Sequence, residues 1–350
     1  PTIDFNIRRN RAMVTWFGVA GIVMIICSAF GTTQAYEYTE SVQFCGTTCH
    51  QIMGPEYTAY QHSPHAEVAC KECHIGPGAS NYVESKLAGS HQLLATLKGD
   101  YHRPVPSPVK NLNSSTQTCE HCHWTGQFYA PKMITHNYNL ADDTNTPYQI
   151  SMLVKVGMTD SGKDVGIHSH MYLNRQISFI STDAQRQVIP YVEMTDENGK
   201  KIIYRDKENP ATDAALAKGE RRNLDCTDCH NRPAHRFLHP DSTLADSFVR
   251  GRLDASIPEL KSTAVTALEK PYKTTSEAMT GIETTLQEFY KKNHADVLAK
   301  NPKGLTQAIA EIQSIYKRSY FPEMKADWKA HPDNLDHIHN NGCFRCHDDK

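Results

Sequence analysis

Three features of the 350-residue sequence predict its fold class. Five Cys-(Xaa)2–3-Cys-His motifs recur along it, one uncharged apolar segment lies near the N-terminus, and apolar residues are only 39% of the chain. Together they predict a multihaem cytochrome c: mainly α-helix and loop around five packed haems, with one N-terminal transmembrane helix and a small β-rich insert. A large flat porphyrin substitutes for apolar side chains in an interior, which accounts for the lean composition. Net charge is −2, so no basic surface argues for nucleic acid, and none is expected as a partner.

The first element is the apolar segment. Residues 12–33 carry no charge, and the stretch from Met13 to Phe30 is strongly apolar. At about 1.5 Å per residue this segment is long enough for one bilayer crossing. Arg8, Arg9 and Arg11 precede it and place the N-terminus in the cytoplasm. Trp16, Tyr36 and Tyr38 stand where interfacial aromatics belong. A cleaved signal peptide is the rival reading, with Thr33-Gln34-Ala35 as a weak cleavage site, but the apolar run is long for one. Cys27 within it reads as a small apolar residue. The expected location is the bacterial inner membrane, single-pass, with everything after residue 33 in the periplasm.

The motifs come next. Four are regular CxxCH: Cys70-Cys73-His74, Cys119-Cys122-His123, Cys226-Cys229-His230 and Cys343-Cys346-His347. The fifth, Cys45-Cys49-His50, has one more residue between its cysteines. Two thiols at this spacing reach the two vinyl groups of one porphyrin edge, and the next residue offers an imidazole to the iron. Zinc ribbons also use CxxC pairs, but in pairs of pairs and without an obligatory histidine after each. Five pairs do not divide into two-pair sites. The ten motif cysteines are therefore expected to hold five c-type haems, with His50, His74, His123, His230 and His347 on the irons.

Four regions follow from this layout. Residues 1–33 form a cytoplasmic stub and anchor. Residues 34–125 hold three haem motifs, a helix over 81–97 and a Pro-rich connector from Arg103 to Pro108. Residues 126–222 carry no motif; alternating runs at 150–156, 175–180, 187–194 and 201–204 predict a β-rich insert, with a turn at 196–199. Residues 223–350 hold the last two motifs, separated by helical patterns at 262–269, 276–293 and 305–316.

At specific strings the sequence resembles the NapC/NirT/NrfH family of membrane-anchored multihaem cytochromes. The strings run from Cys49 to Tyr57, Ser63-Pro64-His65, Cys70 to Ala79, and Ser85-Lys86-Leu87-Ala88-Gly89. The strong likeness covers roughly residues 5–125. Gly166 to His170, Asp225 to His235 and Gly342 to His347 are similar to strings of longer members from metal- and sulfur-respiring bacteria. The fifth motif, the β insert and the CxxxCH spacing depart from the short members.

The resemblance implies a quinol dehydrogenase that takes electrons from menaquinol, from the membrane quinone pool, and passes them along its haems to a periplasmic redox protein or reductase. It implies His65, His170, His235 and His337 as distal ligands, with His168 competing with His170 and His339 with His337. It also makes Met53 a candidate to replace His50 on the first iron, and Lys86 the quinol-site residue. Asp100 and His91 are weaker candidates for a second proton-handling group. His62, His91, His102, His121 and His136 are left as non-ligands. Two other classes stay open: a relay subunit of a larger quinone-linked membrane complex, and a terminal reductase with one open haem.

Overall fold

The computed structural model describes residues 3–48, 50–109, 112–123, 131–157, 166–172, 177–196 and 198–350. Cys49 and the side chain of His50 lie outside that description. Part of the expected strand over 175–180, and one residue of the expected turn over 196–199, lie outside it too.

The chain opens with helix α1, Arg8–Thr39, of which no residue is buried against protein. Thirty-two residues make about 48 Å of helix, longer than the roughly 30 Å hydrocarbon layer. The helix thus extends beyond the expected segment at both ends and carries Tyr36 and Tyr38 outward. A five-residue π-helical turn, Phe44–Thr48, follows directly. A π turn takes in one more residue than an α turn, and it falls where the first motif has its additional residue. Gly46 fits there because a Cβ would lie 2.3 Å from the Tyr57 ring.

Helices α2 (His50–Gln61), α3 (Cys70–His74) and α4 (Ala79–Lys98) complete the membrane-proximal region. Helix α4 is inverted in polarity. Ser85, Lys86 and Gly89 are half-buried, whereas Val83, Leu87, Leu93, Leu94 and Leu97 are at least half exposed. A short helix, α5 (Ser115–Thr118), leads into the third motif.

Among the described residues the β insert forms two sheets. Strands β1 (Lys132–Asn139) and β2 (Pro147–Val154) form an antiparallel hairpin whose residues are almost all exposed. After α6 (Ser169–Tyr172), strands β3 (Ile177–Ser181), β4 (Tyr191–Thr195), β5 (Lys201–Arg205) and β6 (Glu220–Asn223) make an antiparallel sheet of order β5-β4-β3-β6. Helix α7 (Asp213–Lys218) precedes β6, which leads straight into the fourth motif in α8 (Cys226–Cys229). Strands β1 and β6 were not expected from the sequence.

The apolar core lies in the C-terminal helices α9 (Pro240–Val249), α10 (Leu260–Leu268), α11 (Thr275–Asn293), α12 (Ala295–Lys300) and α13 (Pro302–Ser319). Ala278, Ile282, Leu286 and Tyr290 recur every four residues on α11 and are fully buried. They meet Leu244, Leu260, Leu268, Ile312 and Ile315 in one cluster. The Tyr290 hydroxyl donates to the Pro258 carbonyl at 2.7 Å, so its polar end is satisfied. Thr274 and Asn301 cap α11 and α13 by accepting from Glu277 N and Gly304 N. Gly281 lets α11 approach Tyr272, whose ring a Cβ would meet at 2.3 Å. Truncating Leu286 or Ile312 to alanine removes buried methyl groups from this cluster. Each is expected to cost about 2–5 kcal/mol, measured as a shift in the urea midpoint followed by helical circular dichroism, with haem spectra unchanged.

Candidate functional site

Each regular motif folds as a single turn. The backbone N–H of the motif histidine donates to the carbonyl of the first cysteine: His123 to Cys119 at 2.7 Å, His230 to Cys226 at 2.7 Å and His347 to Cys343 at 3.0 Å. In the second motif the same turn is α3. This conformation gathers two thiols and an imidazole, and none of the described cysteines is in a disulfide.

The motifs neighbour one another in chain order. The Cys45 thiol hydrogen-bonds with Cys70, and Cys73 is raised first by burial and then by the nearby Cys119 and Cys122 thiols. Cys226 is likewise raised by burial, with Cys119 adding to it. Cys229 is raised by burial while Cys343 and Asp228 stand close. Side chains in the motifs tie the last pair together: Arg345 donates to the Asp228 carbonyl at 2.6 Å and to the Arg186 carbonyl at 2.9 Å. Asp228 itself is buried against Arg222 and Arg186, and burial holds its carboxyl above the usual range.

Opposite each regular motif histidine stands a second imidazole. Ring centroids are 6.2 Å apart for His74 and His235, 5.9 Å for His65 and His123, 6.4 Å for His168 and His230, and 5.9 Å for His170 and His347. Two imidazoles on one iron, each with a metal–nitrogen bond of about 2 Å and a ring half-width of about 1 Å, have centroids about 6 Å apart. The four pairs fit that spacing, and each stands at a turn that carries two thiols, so these residues suit c-type haem.

Hydrogen bonds fix the tautomers. Nδ1 of His65, His170 and His235 donates to the carbonyl oxygens of Pro233 (3.1 Å), Ile167 (2.7 Å) and Glu56 (2.9 Å). A carbonyl only accepts, so the proton is on Nδ1 and the Nε2 lone pair is left for a metal. Burial, and then the facing histidine, lowers the pKa of His74 and of His168 and keeps both neutral. His230 is lowered by burial as well, with His123 adding and Asp333 opposing.

Among the described residues His337, expected as a distal ligand, is paired with no motif histidine; its ring packs against Phe344 at 6.2 Å. The imidazole that faces His230 is that of His168. Residues 168 and 170 sit beside one short turn, where a two-residue step is about 200° of helix rotation. They therefore point to different motifs instead of competing for one.

His339 stacks flat on His239 at 3.5 Å, too close for a metal between the rings. These two and Asp241 form a compact group, but the Lys261 ammonium, 3.0 Å from Asp241, already supplies its cation. Met53 is half-buried on α2.

His331 lies outside the pairs and is 2% exposed, stacked on Phe237 at 5.1 Å. Its Nε2 is 4.0 Å from Glu56 Oε1, and neither ring nitrogen hydrogen-bonds within the described residues. Burial, with the Arg232 charge adding, pushes its pKa down to about 3. A histidine depressed in the folded state stabilises the fold above its unfolded pKa, about 6.5, and that stability is lost as pH falls toward 3. The thermal midpoint should therefore drop below pH 6.5, at about 1.4 kcal/mol of stability per pH unit, and His331→Gln should flatten the drop.

At the membrane end, Lys86 on α4 donates to Oε1 of Glu40, the residue that follows α1. The Glu40 side chain is 4% exposed and that of Lys86 36%. The Lys86 ammonium also lies 5.0 Å from the centre of the Tyr82 ring, which packs against Tyr36 of α1 at 5.7 Å. Both charges act on Cys45 of the first motif. Glu40 was not singled out from the sequence. The available signal was its position, since a carboxylate at a helix C-terminus opposes the dipole.

Residues 8–133 match the NapC/NirT cytochrome c family, N-terminal region. The whole chain is similar to the cytochrome c-type protein ImcH of Geobacter sulfurreducens, 40% identical over 351 residues, which cover 100% of this chain and 69% of that protein. It is also 30% identical over 94 residues to the cytochrome c-type protein NrfH of Wolinella succinogenes, covering 26% of this chain and 52% of that protein. No solved structure matches significantly.

Proposed function

Because the chain belongs to the NapC/NirT cytochrome c family and is a membrane-anchored multihaem electron-transfer protein, we propose that it oxidises menaquinol from the membrane pool and delivers the electrons through five haems to a periplasmic acceptor. The observation that carries the electron-carrier reading is the set of four facing imidazole pairs. Two strong ligands occupy both axial positions of an iron, which suits transfer and leaves no position for a small substrate. This favours a conduit over a terminal reductase.

In this reading the ten motif cysteines attach five haems. His74/His235, His65/His123, His168/His230 and His170/His347 hold four irons, and His50 or Met53 holds the first. Bound haem supplies reversible one-electron chemistry. The chain's own part is to fix the order of the motifs, latching the fourth and fifth through Arg345, and to keep the His65, His170 and His235 imidazoles in the Nε2-ligating tautomer.

The donor end is the Lys86–Glu40 pair beside Cys45. Helix α4 supports a membrane-surface position there: its exposed leucines and Val83 would lie in the headgroup layer, with Lys86 reaching round to α1. The inner membrane, with the haem region in the periplasm, is the compartment this implies, given Arg8, Arg9 and Arg11 before the anchor. A larger complex into which the haem chain feeds fits the same residues.

Intact-mass measurement tests the haem count. Five haems are expected; four would mean that the Cys45–Cys49 site is empty and would remove the entry point next to the membrane. Reduction by a menaquinol analogue tests the donor.

A further inference from the structure

Quinol oxidation needs an acceptor for protons as well as electrons. Lys86 stands where the family's quinol-site lysine would be, yet its ammonium is held by a buried carboxylate. A protonated lysine has three donors and no lone pair, so it cannot take a proton in that state. Its partner can.

Glu40 is poorly placed for stability. It is 5% exposed, and it follows the C-terminal turn of a 32-residue helix, where the negative end of the dipole disfavours an anion. The groups set against it are the Lys86 ammonium from α4 and the Cys45 thiol of the following turn; the Tyr82 ring lies 5.0 Å from that ammonium and packs on Tyr36 of α1. On its own helix the nearest acid, Glu37, is exposed. A carboxylate kept in such a position against local preference marks a functional site.

We infer that Glu40, not Lys86, is the proton acceptor of quinol oxidation, and that Lys86 is a positioning residue that holds the Glu40 carboxylate through their ion pair. The inference rests on the quinol reading above. The balance is as follows. A quinol loses two hydroxyl protons and two electrons to become quinone. The first O–H proton passes to the Glu40 carboxylate as its ion pair with Lys86 opens. The two electrons would be taken up one at a time by haems held on the motif cysteines and histidines. Glu40 releases its proton to periplasmic water before the second O–H is broken.

The test uses the full-length haem-loaded chain in lipid vesicles with a menaquinol analogue. Glu40→Gln keeps the shape and removes the basic oxygen. It should leave the low-spin spectra and dithionite reduction as in the wild type and slow quinol reduction about 10²-fold. Glu40→Asp, which keeps a carboxylate, should recover part of that rate. Infrared difference spectra on adding quinol should show a carboxyl band forming in the wild type and missing in Glu40→Gln. If Glu40→Gln is reduced by quinol at the wild-type rate, or the wild type shows no such band, Glu40 is only the counterion of Lys86 and the assignment falls. Should Glu40→Gln lose its haems, the wild-type band and the shifted band of Glu40→Asp still decide. A wild type that dithionite reduces and quinol does not would overturn the quinol reading itself, and this assignment with it.

Discussion

Replacing His65, His168, His170 or His235 by alanine, one at a time, should convert one haem in each variant from low to high spin. Each of these rings faces a motif histidine at 5.9–6.4 Å, and each removal leaves one iron with a single imidazole. The loss should be about a quarter of the bis-histidine low-spin signal per variant, read by electron paramagnetic resonance and by the visible spectrum. His337→Ala and His339→Ala should leave the spectrum unchanged, because one ring packs on Phe344 and the other on His239. A silent His168→Ala combined with a high-spin His337→Ala would reverse the pairing proposed for the fourth motif.

The second large effect is expected from Lys86→Leu. It removes the cation from a carboxylate that is almost fully buried. Breaking a buried ion pair by removing one partner is costly, and the carboxylate is no longer held in the position from which it accepts the proton. Reduction by a menaquinol analogue should slow about 10²-fold, while dithionite reduction and the spectra stay as in the wild type. Reduction by quinol at the wild-type rate would make Lys86 an interfacial lysine that merely covers apolar surface.

The covalent chemistry was legible because it is local. Two thiols and an imidazole within five residues need only one turn, and all four regular motifs make it. The anchor and the helices around Leu286 and Ile312 were legible from composition and spacing. The facing imidazole pairs were harder to read, because they join segments far apart in the chain, such as His74 with His235 and His170 with His347. The resemblance pointed to His337 and left His168 and His170 as alternatives, whereas in the fold His168 and His170 lie beside different motif histidines, His230 and His347. Strand β1 was missed because its residues are exposed on both faces and show no clean alternation of apolar and polar. Glu40 was missed because its partner is 46 residues away on α4.

The most direct measurement is stopped-flow reduction of the wild-type chain in lipid vesicles by a menaquinol analogue, with and without a quinol-site inhibitor. The account predicts that quinol reduces the haems, that the inhibitor blocks this, and that dithionite reduces the same haems in either case. Haems that stay oxidised with quinol but are reduced by dithionite would contradict it, and would make the chain a relay fed by another subunit.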